Sequence, residues 1–325
     1  MFASHLDKNF GTAEMKKIAN RDGFGEGLLE AGKRDENVVA LCADLTESTR
    51  VQTFAESFPK RFIQVGIAEQ NMASVAAGMA AMGKIPFIAS YAMFCPGRNW
   101  EQIRTTVAYN NSNVKIIGAH AGVSVGPDGA THQAIEDIAI MRVVPNMVVV
   151  APADVHEARK ATLAAAKYEG SVYIRLARSN TPVVTSLESP FEFGKAYRLF
   201  ETTLEKKVGL VVTGVLLASA LLAAKELEAE GIGVTVLHLP TIKPLDYEAL
   251  DLLAKENNLI VTAEEHQRIG GLGSAVSEYL SETNPRKIIR IGIDDEFGQS
   301  GEPDELWAHY GLDQKAIKNT IKREL

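Results

Sequence analysis

A carboxylate opens an apolar run. Glu69 follows "QVGIA" and leads into "QNMASVAAGMAAMGK", a segment of small and pliable residues that reads as a buried helix. An ionised carboxylate in an apolar site costs several kcal/mol unless something pairs with it, so this position asks for a partner. A second concentration of chemistry lies in "HAGVSVGPDGATHQAIED", a long Gly-rich loop holding His120, Asp128 and His132. Imidazoles exchange protons near neutrality, and two of them beside an acid in such a loop favour a polar substrate site. Their spacings match no familiar metal-ligand pattern. In "SYAMF", Tyr91 and Phe94 stand three apart just past an apolar run. They read either as a core pair or as the wall of a site for a flat heteroaromatic ring.

Two further strings carry weaker signals. "GGLGSAV", 270–276, resembles a dinucleotide fingerprint, but the acid expected about 20 residues later is not convincingly placed. Close helix–sheet packing or a subunit contact suits it better. "EEHQ", 264–267, reads as a solvated or interface polar cluster rather than a metal site.

These residues need a frame. Short β-branched runs at 37–45, 61–67, 85–91, 114–120, 146–154 and 171–177 alternate with helical periods at 69–82, 98–110, 133–142 and 153–168. Runs apolar on both faces and joined by helices imply a parallel sheet covered on both sides, a doubly wound α/β domain. Its ligands belong beyond the carboxyl ends of the strands, where "ADLTEST", "GIAEQN", "SYAMFCPGR", the Gly-rich loop and "ARSN" all fall. Residues 179–200, rich in Pro, Ser and Thr, read as a surface linker. The alternation then restarts, with helices expected at 215–231, 246–256 and 272–282 and two short ones at the end, where Asp304 and Asp313 are caps or first-turn acids. The fold class is therefore α/β with two doubly wound domains, 1–190 and a smaller 191–325.

Composition narrows the function. Of 325 residues, 46% are hydrophobic and 23% charged, an ordinary globular balance, and the net charge of -7 gives no footprint for nucleic acid or an anionic membrane. Cys42 and Cys95 cannot build a disulfide framework or a metal cage between them. "MFASHLDKNFGTAEMKK" has no apolar core, and "GLVVTGVLLASALLAAK" is too short and too interrupted to span a bilayer, so a reducing cytoplasmic setting is expected.

With these residues assembled, the chain resembles the transketolase family of thiamine-diphosphate enzymes. More narrowly, it is similar to the carboxyl-terminal half that split-gene versions encode separately. The carriers are "CADLTEST", "VGIAEQNMASVAAGMAAMG", "SYAMF", "VGPDGATHQAIEDIAIMRVVPNM", "ARSN" and "TIKPLD" in this order, across essentially the whole chain. The resemblance implies a pyrimidine-binding domain followed by a transketolase C-terminal domain. It implies that Glu69 contacts the pyrimidine ring of thiamine diphosphate and favours its protonation, which activates the thiazolium carbon; a carboxylate sharing a proton with a ring nitrogen is tolerable in an apolar site. It implies that Tyr91 and Phe94 wall the pyrimidine pocket and that Asp44 lies near the cofactor and the subunit interface. His120 and His132 would contact sugar hydroxyls and move protons, and Asp128 would read the hydroxyl next to the reacting carbonyl. Arg21, Ser48 and Arg178 would hold the distal sugar phosphate.

The activity implied is transfer of a two-carbon ketol unit from a ketose phosphate to an aldose phosphate, in the pentose phosphate pathway. The family's metal signature, Gly-Asp-Gly followed downstream by Asn, does not occur here. The resemblance therefore implies a separate N-terminal subunit that holds the diphosphate with Mg2+ or Ca2+, and no metal ligands on this chain. It also implies self-association across a two-fold axis through the small residues of 69–82, as in a heterotetramer. Asn71 replaces the His that many members carry near the glutamate. The alternatives are a deoxyxylulose-phosphate synthase-like half, a 2-oxoacid dehydrogenase beta-like subunit, a catalytically silent paralogue, or a nucleotide-binding module built on "GGLGSAV". His120 argues against the first, which usually has an acid there, and "GPDGATHQ" argues against the second. Joint retention of Glu69, His120, Asp128, His132 and Arg178 argues against the third.

Overall fold

The computed structural model describes residues 1–205 and 207–325. Two sheets organise them. The first has seven strands, in the order Thr241–Lys243, Met147–Val150, Ser171–Arg175, Lys115–Ala119, Ile85–Tyr91, Val38–Cys42 and Phe62–Gln64. All neighbours pair in parallel except the edge strand Thr241–Lys243, which runs antiparallel to Met147–Val150. That edge strand comes from the second half of the chain, so "TIKPLD" completes the first sheet. The second sheet has five strands, Lys287–Ile293, Leu259–Gln267, Lys207–Val212, Gly233–His238 and Tyr197–Phe200, with only the last antiparallel.

Inner strands such as Val38–Cys42 and Lys115–Ala119 are buried along their whole length, as they must be when helices cover both faces. On one face, helix Asn20–Arg34 packs against helix Val155–Lys167. The latter starts where the Asp154 carboxylate accepts the Glu157 amide at 3.0 Å. The two helices touch backbone to backbone: a Cβ at Gly23 would lie 1.9 Å from the Val155 carbonyl oxygen, and one at Gly27 would lie 2.8 Å from Thr162 Cβ.

The expected elements differ from the structure in places where side chains compete with the backbone pattern. The helix expected at 98–110 is a short α turn, Trp100–Gln102, followed by a π turn, Ile103–Ala108. The one expected at 133–142 begins only at Asp137, because Gln133 is tied into the Gly-rich loop. The segment at 179–200 is not only a linker: Asn180–Pro182 pairs with Lys17–Ala19, and Tyr197–Phe200 joins the second sheet. Helix Glu69–Ala81 is buried along Met72, Ala73, Ala76 and Ala77, but Gln70, Asn71, Ser74, Val75 and Gly78 form an exposed, mostly small-residue face. At the C-terminal end, Asp313 caps helix Gln314–Glu324 by accepting the Ala316 amide at 2.7 Å, and Asp304 is a first-turn acid of Pro303–His309. No described helix is long and apolar enough to cross a membrane.

Replacing Gly23 with Ala should destabilise the chain by about 1–3 kcal/mol or more, since the intruding methyl meets backbone rather than a movable side chain. Urea unfolding of Gly23→Ala measures this; an unchanged midpoint would show that the two helices are not in the contact described.

Candidate active site

The strand order reverses direction around Val38–Cys42, whose neighbours are Phe62–Gln64 on one side and Ile85–Tyr91 on the other. Such a switch point opens a crevice beyond the carboxyl ends of the strands. Most of the chemistry-bearing residues expected from the sequence converge there.

Glu69 is the first residue of its helix and is 1% exposed. Its Oε2 accepts from Arg98 at 2.8 Å, and its Oε1 is 3.4 Å from the Ser90 hydroxyl at the end of strand Ile85–Tyr91. Asn99 donates to the Glu69 carbonyl at 3.1 Å and so fixes the helix start. Arg98 is exposed and lies over the Phe94 ring, 4.7 Å from its centroid. Its distance of four residues from Phe94 was the available sequence signal, but the string "SYAMFCPGR" did not single it out.

From Phe94 the contacts continue. Tyr91 and Phe94 are nearly parallel, 18° apart, with centroids 6.1 Å apart. Tyr91 also stacks on His120 at 3.9 Å. His132 meets both aromatic rings edge-on, at 6.3 Å from Tyr91 and 5.7 Å from Phe94. Arg21 donates to His120 Nε2 at 3.3 Å and to the Ser48 carbonyl at 2.7 Å. A guanidinium can only donate, so His120 Nε2 is the acceptor and the ring proton sits on Nδ1. That Nδ1 is buried without a protein partner, as is Arg21 Nε. Arg178 anchors through the Val125 carbonyl at 2.8 Å. Arg50, not singled out in the sequence, pairs with Asp22 at 2.5 Å and adds its charge to this cluster.

Burial, with Arg21, Arg178, Arg50 and His132 adding like charge, pushes the His120 imidazole down to about 3. Burial and Arg50 also lower the Arg21 guanidinium. A concentration of cationic groups with unpartnered N–H donors is suited to an anionic, hydroxyl-rich ligand. His120 and Asp44 hold left-handed backbone, with φ of 55° and 61°, as does Arg50 at 66°. Such conformations are sparsely populated and collect at functional sites.

Two expected residues stand apart. Asp44 is exposed; its amide donates to Gln64 at 2.8 Å. Asp128 is exposed at the tip of the Gly-rich loop. Among the described residues, no hydrogen bond or ion pair joins either carboxylate to the cluster. Ser48 enters through its carbonyl rather than its hydroxyl.

"EEHQ" requires a correction to its solvated reading: Glu264, Glu265 and His266 are buried. Glu264 accepts the Leu272 and Gly273 amides at 2.7 and 2.8 Å, capping helix Leu272–Thr283. The same contact accounts for "GGLGSAV": a Cβ at Gly271 would lie 2.0 Å from Glu264 Oε2, and one at Gly273 would lie 2.7 Å from Thr262 Oγ1, so these glycines serve helix–sheet packing. Among the described residues, no group of three or more His, Cys, Asp or Glu is arranged to hold a metal ion.

Two family models match the chain: transketolase, pyrimidine binding domain, over residues 16–184, and transketolase, C-terminal domain, over 197–317. A Methanocaldococcus jannaschii protein provisionally named transketolase C-terminal section is 45% identical over 308 residues, covering 94% of this chain and 96% of that one. The 6-deoxy-6-sulfo-D-fructose transketolase subunit SqwH of a Clostridium species is 42% identical, covering 91% of each chain. A solved structure described as a split gene transketolase, inactive beta4 tetramer, superposes with a TM-score of 0.87 at 45% identity, covering 94% of this chain and 98% of that one.

The depressed imidazole gives a signed pH dependence. Below about pH 6.5 the unfolded chain takes up a proton that folded His120 refuses until about pH 3. Stability should therefore fall as pH drops through that window, and His120→Asn should flatten this part of the profile. Urea unfolding at intervals from pH 7 to 4 measures it; identical slopes for the two proteins would show that His120 is not held neutral by its surroundings.

Proposed function

The chain belongs to the transketolase family, and from that premise we propose that it is the C-terminal subunit of a split transketolase. The division into a pyrimidine-binding unit to about 190 and a C-terminal unit beyond it is part of this reading; the matched spans and the two sheets support it. The observation that carries the function is Glu69, a fully buried carboxylate beside an aromatic pair at the mouth of the sheet.

These residues suit the pyrimidine end of thiamine diphosphate. The cluster offers a pair of nearly parallel aromatic rings, one buried carboxylate, and neighbouring donors without protein partners. When bound, thiamine diphosphate supplies the carbon nucleophile for breaking and remaking the ketol bond. Glu69 would hold a proton at a ring nitrogen, a short charge-assisted contact that replaces its bond to exposed Arg98. Tyr91 and Phe94 would wall the ring. Neutral His120 would donate from Nδ1 to a sugar oxygen, with His132 beside it as the second proton carrier. Asp128, exposed at the loop tip, would read the hydroxyl next to the carbonyl. Asp44 would face the cofactor from the subunit interface. Arg21, Arg178 and the Ser48 segment would hold the anionic tip of the sugar; the name of the sulfofructose-acting relative makes a sulfonate a second tip to assay.

An N-terminal partner subunit would bring the diphosphate site with Mg2+ or Ca2+. The exposed small-residue face of helix Glu69–Ala81 suits close contact with another subunit. The inactive tetramer of a 45% identical protein supports self-association without activity.

Ketol transfer with this chain, a partner subunit, thiamine diphosphate and Mg2+ should require all four components. Full activity from this chain without a partner would overturn the half-site reading. Glu69→Ala should lower kcat/KM by at least about a hundredfold with unfolding unchanged in cooperativity, and near-normal turnover would end its assigned role. Arg178→Ala should mainly raise KM for phosphorylated sugars, and an unchanged KM would remove it from phosphate recognition.

A further inference from the structure

The second unit has no assigned part in the chemistry, yet its longest strand ends inside the substrate loop of the first. We propose that Glu265 is a positioning residue for the sugar site, clamping the Gly-rich loop that carries Asp128 and His132. The assignment of that loop to substrate rests on the function proposed above.

Glu265 is 2% exposed, and its carboxylate meets donors on every side. Its Oε1 accepts the Ser124 amide at 2.7 Å and Trp307 Nε1 at 2.9 Å, and its Oε2 accepts the Ser124 hydroxyl at 3.2 Å. The carboxylate fills the space beside Gly122, where a Cβ would lie 2.4 Å from its carbon. The Glu265 carbonyl accepts from Arg175 at 2.8 Å. Arg175 is itself held by Asp137 at 2.8 Å, and Asp137 takes the Tyr173 hydroxyl at 2.7 Å. One buried network therefore runs from the first sheet, through the strand of the second, to the loop.

The clamped segment reaches the site by short paths. The Ser124 carbonyl accepts the Ser179 hydroxyl at 2.7 Å, and the Val125 carbonyl accepts Arg178 at 2.8 Å. Gln133, next to His132, donates to the Val123 and Gly126 carbonyls, and to the Gln299 carbonyl of the second unit. Fixing residues 123–126 thus fixes the guanidinium at one end and the imidazole at the other. A general brace between units would be served by any apolar contact. Two of the groups on the Glu265 carboxylate, the Ser124 amide and the Trp307 indole N–H, can only donate, so an acceptor held between them sets one loop conformation.

The identity of the side chain can be tested because Gln has the same volume but carries no charge and leaves one acceptor oxygen where the carboxylate has two. In the assembled enzyme, Glu265→Gln should raise KM for both sugar phosphates about tenfold while kcat falls less than about threefold, and the thiamine diphosphate concentration for half-activation should not move. Trp307→Phe, which removes one donor and keeps the ring, should raise the same KM values by about threefold. In the free chain, hydrogen exchange of the amides at 122–133 should accelerate in both variants. Unchanged KM values and unchanged exchange, with only a lower unfolding midpoint, would overturn the proposal and leave Glu265 a brace. Where Glu265→Gln fails to fold, Trp307→Phe decides by the same readouts. Absence of ketol transfer in the wild-type assembly would sink the functional reading instead, and the exchange measurement would still decide the clamp.

Discussion

Taking a carboxylate out of water is the constraint around which this chain is arranged. Removing the partner of a buried ion costs several kcal/mol, because the remaining charge can neither hydrate nor pair. Glu69 lies at the start of a helix, where the unpaired amides and the dipole favour negative charge, and Arg98 and Ser90 supply the rest. Strand Ile85–Tyr91 must end where it does for Ser90 to reach that carboxylate. The turn after it must then bring Phe94 and Arg98 back over the same spot. The aromatic ladder from Phe94 through Tyr91 to His120 follows from that turn.

The second unit answers the same constraint differently. Its polar residues at 264–266 are buried because they bond to helix and loop backbone rather than to water. The two units are consequently not separate bodies joined by a tether. The strand Thr241–Lys243 closes the edge of the first sheet, and the Arg175–Asp137–Tyr173 network leads directly to the Glu265 backbone.

Much of this was legible in the sequence, for identifiable reasons. Alternating apolar runs and helical periods reveal parallel strands, since burial on both faces leaves an unbroken hydrophobic signature. Glu69 was visible because a charge in a small-residue helix violates that signature, and His120 and His132 because a Gly-rich loop at a strand end is unusual. What stayed hidden depends on three-dimensional pairing. Arg98 looks like any surface arginine until the turn places it on Glu69. "EEHQ" looks solvated because composition cannot show that the Leu272, Gly273 and Ser124 amides and the Trp307 indole are aimed at its two carboxylates. The π turn at Ile103–Ala108 and the late start of helix Asp137–Arg142 come from local hydrogen bonding that periodicity does not register.

Glu69 and Glu265 also differ in a way that bears on how the chain works. Burial pushes the Glu265 carboxyl up and its bonds to Ser124 and Trp307 oppose that shift; these partners are fixed within the fold, so nothing needs to change there for it to stay paired and buried. Glu69 has only a long contact to Ser90 and a bond to an arginine whose side chain is 46% exposed. A guanidinium reaching in from solvent is a partner that a ligand can replace, because its charge is recovered by water when it leaves. A fixed buried donor could not be displaced without leaving a second group unsatisfied. The fold thus gives Glu265 a rigid pairing and Glu69 an exchangeable one, which is the pairing that the proposed contact with a ring nitrogen would need. That division, with the exposed face of the Glu69 helix beside it, fits the proposed half-site that another subunit would complete.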